Sequence, residues 1–421
     1  MSTAAIQLRT AIPGPRSRAL ARALRASESR NVTFVSPHTP IFWERAFGSA
    51  VVDVDGNQFI DLTAAFGVAA VGHAHPRVVE AITRQAAQLP HGMGDVYPTA
   101  VKVALMERLI QLTGLGKVVL CGGGSEAVEV ALKTALLATR KPRVLAFEGA
   151  YHGLTLGALR VAGIAKFRAP FAALVEEPLL LPFDCDTTEV ERALAHDSTI
   201  GAVIVEPLQG RGGERVPHPD FLRGLRAVTR RHGVLLICDE IYTGFGRTGA
   251  LFASLESGAE PDLLCVGKAL AGGFPIAACV GSNAVMEAWP LSTGEALHTS
   301  TYLGNPMACA AALATLEVVA SEDLPARARA LGDVIAARLE PLRGLTHVRD
   351  VRGRGAMWGV EVDAPARAVA ATEEALRRGV IVLPSGARGE VVSITPPLII
   401  DRADLDAALT VLCDVLRGHA A

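Results

Sequence analysis

The sequence predicts an α/β fold, with a large domain built on a mainly parallel sheet flanked by helices and a smaller α/β domain drawn from the N- and C-terminal parts of the chain. Three observations carry this expectation. Short apolar runs at residues 117–121, 143–147, 201–205, 234–238 and 263–266 lack the alternation of a half-exposed strand, as suits strands buried on both faces of a parallel sheet. Segments of helical composition separate several of them, so the connections read as right-handed crossovers. Each run then gives way to a glycine-rich or charged segment, which collects polar groups at the strand ends where open α/β sheets bind ligands. With 421 residues, half of them hydrophobic, the chain can fill more than one core.

In chain order, residues 1 to about 30 are rich in Ala and Arg, and 16–27 has helical composition after Pro13-Gly14-Pro15; this segment reads as an arm lying on a neighbour. Residues 50–54 and 58–62 read as strands joined at Asp55-Gly56, a hairpin signal that makes Asp53 and Asp55 turn residues rather than metal ligands. The small apolar residues 64–71 suggest a pocket wall. His73 and His75 have no acidic or cysteine partner close in sequence, so no metal site is predicted. Pro76 opens a helix and, with it, the large domain. The expected division is 1–75 for the arm and part of the small domain, 76–319 for the large domain and 320–421 for the rest of the small domain. Strands are expected near 348–351, 357–362, 380–383 and 391–394, with a closing helix after Asp401.

The chemistry gathers at the ends of the buried runs. The run 234–238 leads into Asp239-Glu240, and the run 263–266 into Gly267-Lys268. A carboxylate and a lysine so placed meet the needs of pyridoxal phosphate, which takes an acid partner for its ring nitrogen and a lysine for a Schiff base. Either residue alone would more plainly be a helix cap or a solvated loop lysine; the neighbouring motifs favour the pair. Gly122-Gly123-Gly124-Ser125 opens a helix after the run 117–121, where backbone N–H groups, the helix dipole and the Ser125 hydroxyl favour a phosphate. Its spacing is neither a P-loop nor a GxGxxG fingerprint. Tyr151 follows the run 143–147 and offers a ring able to stack on a flat heterocycle, although by itself it would read as a core or rim tyrosine.

A formal net charge of -2 gives no electrostatic case for nucleic acid or an anionic membrane, and no apolar run approaches the roughly 20 residues of a membrane helix. Seven cysteines are scattered without CxxC or CxxH spacing, as reduced thiols of a cytoplasmic protein would be. Small molecules are the expected partners.

The segment Asp239-Glu240-Ile241-Tyr242-Thr243-Gly244-Phe245-Gly246-Arg247-Thr248-Gly249, followed by Gly267-Lys268, is the most specific part of a wider resemblance. From about Pro13 to Ile400 the chain resembles the class III aminotransferases, pyridoxal-phosphate enzymes of fold type I. The resemblance implies a ping-pong transfer of an amino group from an amine or amino acid donor to an oxo acid or aldehyde. It implies Lys268 as the Schiff-base lysine and proton shuttle, with Asp239 at the ring nitrogen. Tyr151 and Ile241 would lie against the two ring faces, and Gly124 and Ser125 at the phosphate. Thr301 would reach the phosphate of the neighbouring subunit, which implies a homodimer with its site at the subunit interface.

Three places depart from the family pattern. Tyr242 stands where the family usually has Gln for the cofactor's phenolic oxygen, and its hydroxyl can still donate. Gly122-Gly123 replaces the usual Asn-Ser/Thr, leaving backbone to serve. Ser393 stands where many members carry an arginine for the substrate carboxylate, ahead of Pro396-Pro397-Leu398, and Arg211 stands in place of the glutamate that gates that arginine. Arg211 would then supply the planar carboxylate fork from the other side of the pocket; the plain alternative is a surface-loop arginine. An amino acid racemase or epimerase on the same fold is the runner-up, since such relatives also act through lysine on one face. An NAD-linked dehydrogenase is disfavoured by the glycine spacing.

Overall fold

The computed structural model describes residues 6–36 and 38–418. The chain forms two compact units, one of Met1–His75 with Arg329–Ala421 and one of Pro76–Ala328.

The first unit begins with the helix Pro15–Ser27 and continues into an antiparallel meander of β1 (Trp43–Phe47), β2 (Ala50–Asp53) and β3 (Gln58–Asp61). The hairpin forms because Asp53 accepts the N–H groups of Asp55 and Asn57 at 2.9 and 2.8 Å, while Gly56 takes φ +82°. Beyond β3 the small apolar stretch does not run smoothly. Ala64, Ala65 and Phe66 adopt φ of 46°, 48° and 62° in succession, each costing about 1–2 kcal/mol for an L-residue. Asp61 helps to hold this left-handed turn, accepting from Thr63 N–H at 2.7 Å and lying 2.8 Å from His73 Nε2.

The second unit is built on seven strands: β4 (Lys117–Cys121), β5 (Arg143–Phe147), β6 (Leu179–Leu181), β7 (Ile200–Val205), β8 (Leu235–Asp239), β9 (Leu263–Val266) and β10 (Ala277–Gly281). They are ordered β4-β10-β9-β8-β7-β5-β6. The strands from β5 to β9 pair in parallel, whereas β10 is antiparallel to both β4 and β9, so β4 runs with the majority. Six strands therefore end at one edge. Every residue of β7 and β9 is buried, which is why their sequences do not alternate. On one face the helix Gly124–Thr139 presents Ala127, Val128 and Ala131 to a core that includes Ala146, Ile204 and Ile237. The helix Phe221–His232 buries Phe221, Leu222, Leu225 and Val228 and ends at Gly233, whose φ of +61° suits the left-handed cap. The sequence did not reveal β6, a three-residue strand, or β10, whose Ala-Ala-Cys-Val-Gly carries little strand propensity.

The remainder of the first unit comprises β11 (Val348–Arg354), β12 (Met357–Val362), β13 (Val380–Ile381), β14 (Leu383–Ser385) and β15 (Val391–Ile394). Strand β13 pairs in parallel with β3, and a second sheet has the order β11-β12-β15-β14. The helix Arg402–Gly418 buries Leu405, Leu409, Leu412 and Leu416. Among the described residues no helix is long and apolar enough to cross a membrane.

Candidate functional site

Segments following β4, β5, β7, β8 and β9 converge beyond the shared strand edge. Asp239 closes β8 and is buried. One of its oxygens accepts the Ile241 N–H at 3.1 Å, and the other lies 2.7 Å from His152 Nδ1. Burial by itself would lower the His152 pKa, but the hydrogen bond and charge of Asp239 outweigh it and raise the value. The Nδ1–H of His152 donates to Asp239 and fixes the carboxylate's orientation. Its Nε2 is buried without a hydrogen-bond partner.

Glu206 follows β7 and is also buried, accepting the Tyr151 N–H at 2.8 Å and the Gly210 N–H at 3.2 Å. Burial pushes its pKa up to about 7; nearby His152 works against that rise and Asp239 adds to it. Glu240 serves another purpose. It is fully buried and accepts from Thr243 Oγ1, Ala253 N–H, and both the N–H and the hydroxyl of Ser254, so it pins the loop that follows β8. The acid pair of the sequence thus divides into one residue for the site and one for the scaffold.

Lys268 comes two residues after β9 and has φ +41°, a left-handed backbone that a non-glycine residue adopts at a cost. Its Nζ lies 3.5 Å from the centroid of the Tyr242 ring. Although the side chain keeps partial exposure, the protein packed around the amine costs the ammonium its hydration and lowers its pKa to about 8; Asp239 and Glu206 resist this fall and Arg247 reinforces it.

The glycine turn completes the edge. Gly123 is extended and puts no side-chain cap on the helix Gly124–Thr139, whose first N–H groups have no intrahelical acceptor. Gly122 N–H donates to Glu126 at 2.8 Å, so one backbone donor is already engaged. A Cβ on Gly124 would stand 2.9 Å from the Ile241 side chain, and one on Gly153, at φ +117°, would stand 2.4 Å from Ser125 Oγ. Since a Cβ on Gly267 would also touch Ile241, at 3.6 Å, Ile241 lies between the glycine turn and the lysine segment.

Tyr151 is half-buried and meets Phe167 edge-on with ring centroids 5.4 Å apart; the Arg211 guanidinium lies 5.9 Å from the same Phe167 ring. Of the residues singled out from sequence, Gly124, Ser125, Tyr151, Asp239, Ile241, Tyr242 and Lys268 come together, and Arg211 joins the Tyr151 side through Phe167. Thr301 is exposed, in a segment tied to the 91–97 loop by a 2.8 Å hydrogen bond from Thr299 to Asp95. Ser393 belongs to the other unit, buried on β15 between Gly359 of β12 and Leu383 of β14. His152, Glu206 and Phe167 were not singled out from sequence. For the first two the available signal was their position just beyond buried apolar runs.

These groups fit pyridoxal phosphate. An uncapped, glycine-lined helix start suits a phosphate, a held carboxylate suits a ring nitrogen, and an amine of lowered basicity suits an aldehyde.

Comparison with known proteins agrees. The family model described as aminotransferase class-III matches residues 33–416. Acetylornithine aminotransferase from Methanothermobacter thermautotrophicus is 39% identical over 378 residues, covering 90% of this chain and 94% of the relative. The enzyme of the same name from Mycolicibacterium smegmatis is 40% identical over 375 residues, covering 89% and 93%. Among solved structures, the ornithine aminotransferase of Toxoplasma gondii ME49 superposes with a TM-score of 0.88 at 31% identity, covering 96% of this chain and 95% of that one. A PLP-bound amine transaminase from an uncultivated Pseudomonas species gives 0.85 at 31% identity, covering 93% and 98%. These matches set aside the racemase and dehydrogenase alternatives.

Proposed function

The chain belongs to the class III aminotransferases, pyridoxal-phosphate enzymes of fold type I, and from that premise we propose how its own residues carry the transfer. The observation behind the proposal is the meeting of Asp239, Lys268 and the uncapped Gly124–Thr139 helix at one sheet edge. When bound, pyridoxal phosphate takes up the amino group and accepts the electron pair released at the substrate carbon.

Lys268 would hold the cofactor through its amine and, once free, carry the proton to and from the substrate carbon; an amine with a pKa of about 8 can lose its proton near neutrality. Asp239, steadied by His152 and the Ile241 N–H, would keep a proton on the ring nitrogen. Ile241 and Tyr151 would flank the ring, and Gly124 and Ser125 would hold the phosphate through backbone and hydroxyl donors. Tyr242 would contact the cofactor beside Lys268.

The donor is an amine or amino acid, and the acceptor an oxo acid or aldehyde. With Ser393 in place of the family arginine, a serine hydroxyl cannot form a bidentate ion pair with a carboxylate. Arg211, placed over Phe167 beside Tyr151, would do so. We place the active unit as a homodimer in the cytoplasm. Exposed Met93, Val96, Tyr97, Leu297 and Tyr302 surround the segment of Thr301, which would reach the partner's phosphate, and all seven cysteines are free thiols.

The test is a half-reaction. Amines are added one at a time to the holoenzyme without any oxo acid, and the visible cofactor band is followed together with the released carbonyl product. Loss of the band with one carbonyl product per site, and its return on adding an oxo acid, is expected. Exchange of the α-proton with the band and the amine both retained would contradict the proposal.

A further inference from the structure

We propose that the face of the Tyr242 ring is the seat of the protonated Lys268 amine, which makes Tyr242 a positioning residue that governs when Lys268 holds its proton. This rests on the reading of Lys268 as the reacting amine, and it assigns Tyr242 a role through its ring rather than its hydroxyl.

The geometry is that of a cation over a π face. Nζ stands 3.5 Å from the ring centroid, well inside the roughly 6 Å within which a ring quadrupole attracts an ammonium. Both partners are held from behind. The loop carrying Tyr242 is pinned by buried Glu240 through Thr243, Ala253 and Ser254, and Gly244 N–H donates to the Glu240 carbonyl at 3.0 Å. Lys268 leaves β9 through Gly267 with a left-handed backbone, which aims the side chain back over the loop that follows the neighbouring strand β8.

The charged groups around Lys268 come from the β8 side of β9. Asp239 at the end of β8 and Glu206 after β7 favour the ammonium, with His152 after β5 paired to Asp239, while Arg247 in the loop after β8 opposes it. Lys268 forms no ion pair or hydrogen bond with a carboxylate among the described residues, so the ring is its close partner. A glutamine, the residue usual at this position in the family, would meet the ammonium differently; its amide oxygen can accept a hydrogen bond, but it presents no π face. The ring therefore holds the ammonium after Lys268 takes a proton and keeps that proton available for return.

The test uses the full-length apoenzyme, so that it reads Lys268 itself. Cyanate carbamylates only the neutral amine, and its rate at Lys268, followed by mass spectrometry of the peptide across pH, gives a titration midpoint. Wild type is expected near the value of about 8 given by the surroundings of the amine. Tyr242→Phe keeps the face and is expected within about 0.3 units of wild type. Tyr242→Leu and Tyr242→Met lose it, and are expected to shift the midpoint down by about 0.5–1.5 units. If Leu fails to fold, Met carries the test. Midpoints for Leu and Met within about 0.3 units of wild type would overturn the proposal, as would a Phe variant that falls as far as they do. The underlying reading fails differently. A Lys268→Ala protein that still develops the cofactor band and discharges it with amine would remove Lys268 from the reaction, whatever the midpoints show.

Discussion

Asp239 and Lys268 sit at the ends of adjacent strands, β8 and β9, yet the protein treats them in opposite ways. Asp239 is buried and held on both oxygens, by the Ile241 N–H and by His152. Lys268 keeps partial exposure and rests on an aromatic face, with its basicity lowered to about 8. One group has its orientation fixed by hydrogen bonds, whereas the other can gain or lose a proton near working pH. A reaction that needs one fixed carboxylate and one movable proton calls for this division.

The comparison can be broken most severely at its movable end. Lys268→Ala would remove both the amine proposed to hold the cofactor and the proposed base, and turnover with a good donor should fall by at least about 10⁴-fold in steady-state assays. Asp239→Asn leaves the shape but removes the charge at the fixed end; kcat should fall by about 10²–10³-fold, with the visible band altered in position or pH response. His152→Leu strips Asp239 of its buried partner. Leaving such a group unsatisfied costs about 1–3 kcal/mol, so a loss of roughly 5- to 150-fold in kcat/KM is expected, with cofactor still bound.

Arg211→Ala tests the substrate side without touching either end. KM for an oxo acid should rise about tenfold or more, with Arg211→Lys recovering only part of the loss; a rise of less than about twofold would remove Arg211 from carboxylate recognition. The smallest effect concerns Glu206, whose pKa is raised from the ordinary carboxylate value of 4.5 to about 7. Between those values the folded chain binds more protons than the unfolded one, so this group's contribution to stability falls as pH rises through the window. Glu206→Gln should flatten that part of the Tm–pH curve of the apoenzyme.

Much of this edge is legible in sequence because buried parallel strands leave unbroken apolar runs, and whatever follows such a run lies at the ligand-binding side. Asp239, Lys268 and the turn Gly122–Ser125 could be found in that way. The neighbours could not, because they depend on strand order. His152 meets Asp239 across 87 positions only because β5, β7 and β8 lie side by side in the sheet. The role of the Tyr242 ring depends on the left-handed backbone at Lys268, which no residue pattern announces in a non-glycine. Likewise β10, built from small residues, was hidden although it is inserted between β4 and β9 and sets the distance between the glycine turn and the lysine strand.

Borohydride reduction of the holoenzyme followed by peptide mapping identifies the lysine that carries the cofactor. One cofactor per chain, fixed on the peptide containing Lys268, is expected, with loss of that label when an amine donor without oxo acid is added before the borohydride. A label on another lysine, or one that a full panel of amines never displaces, would contradict the role proposed for Lys268.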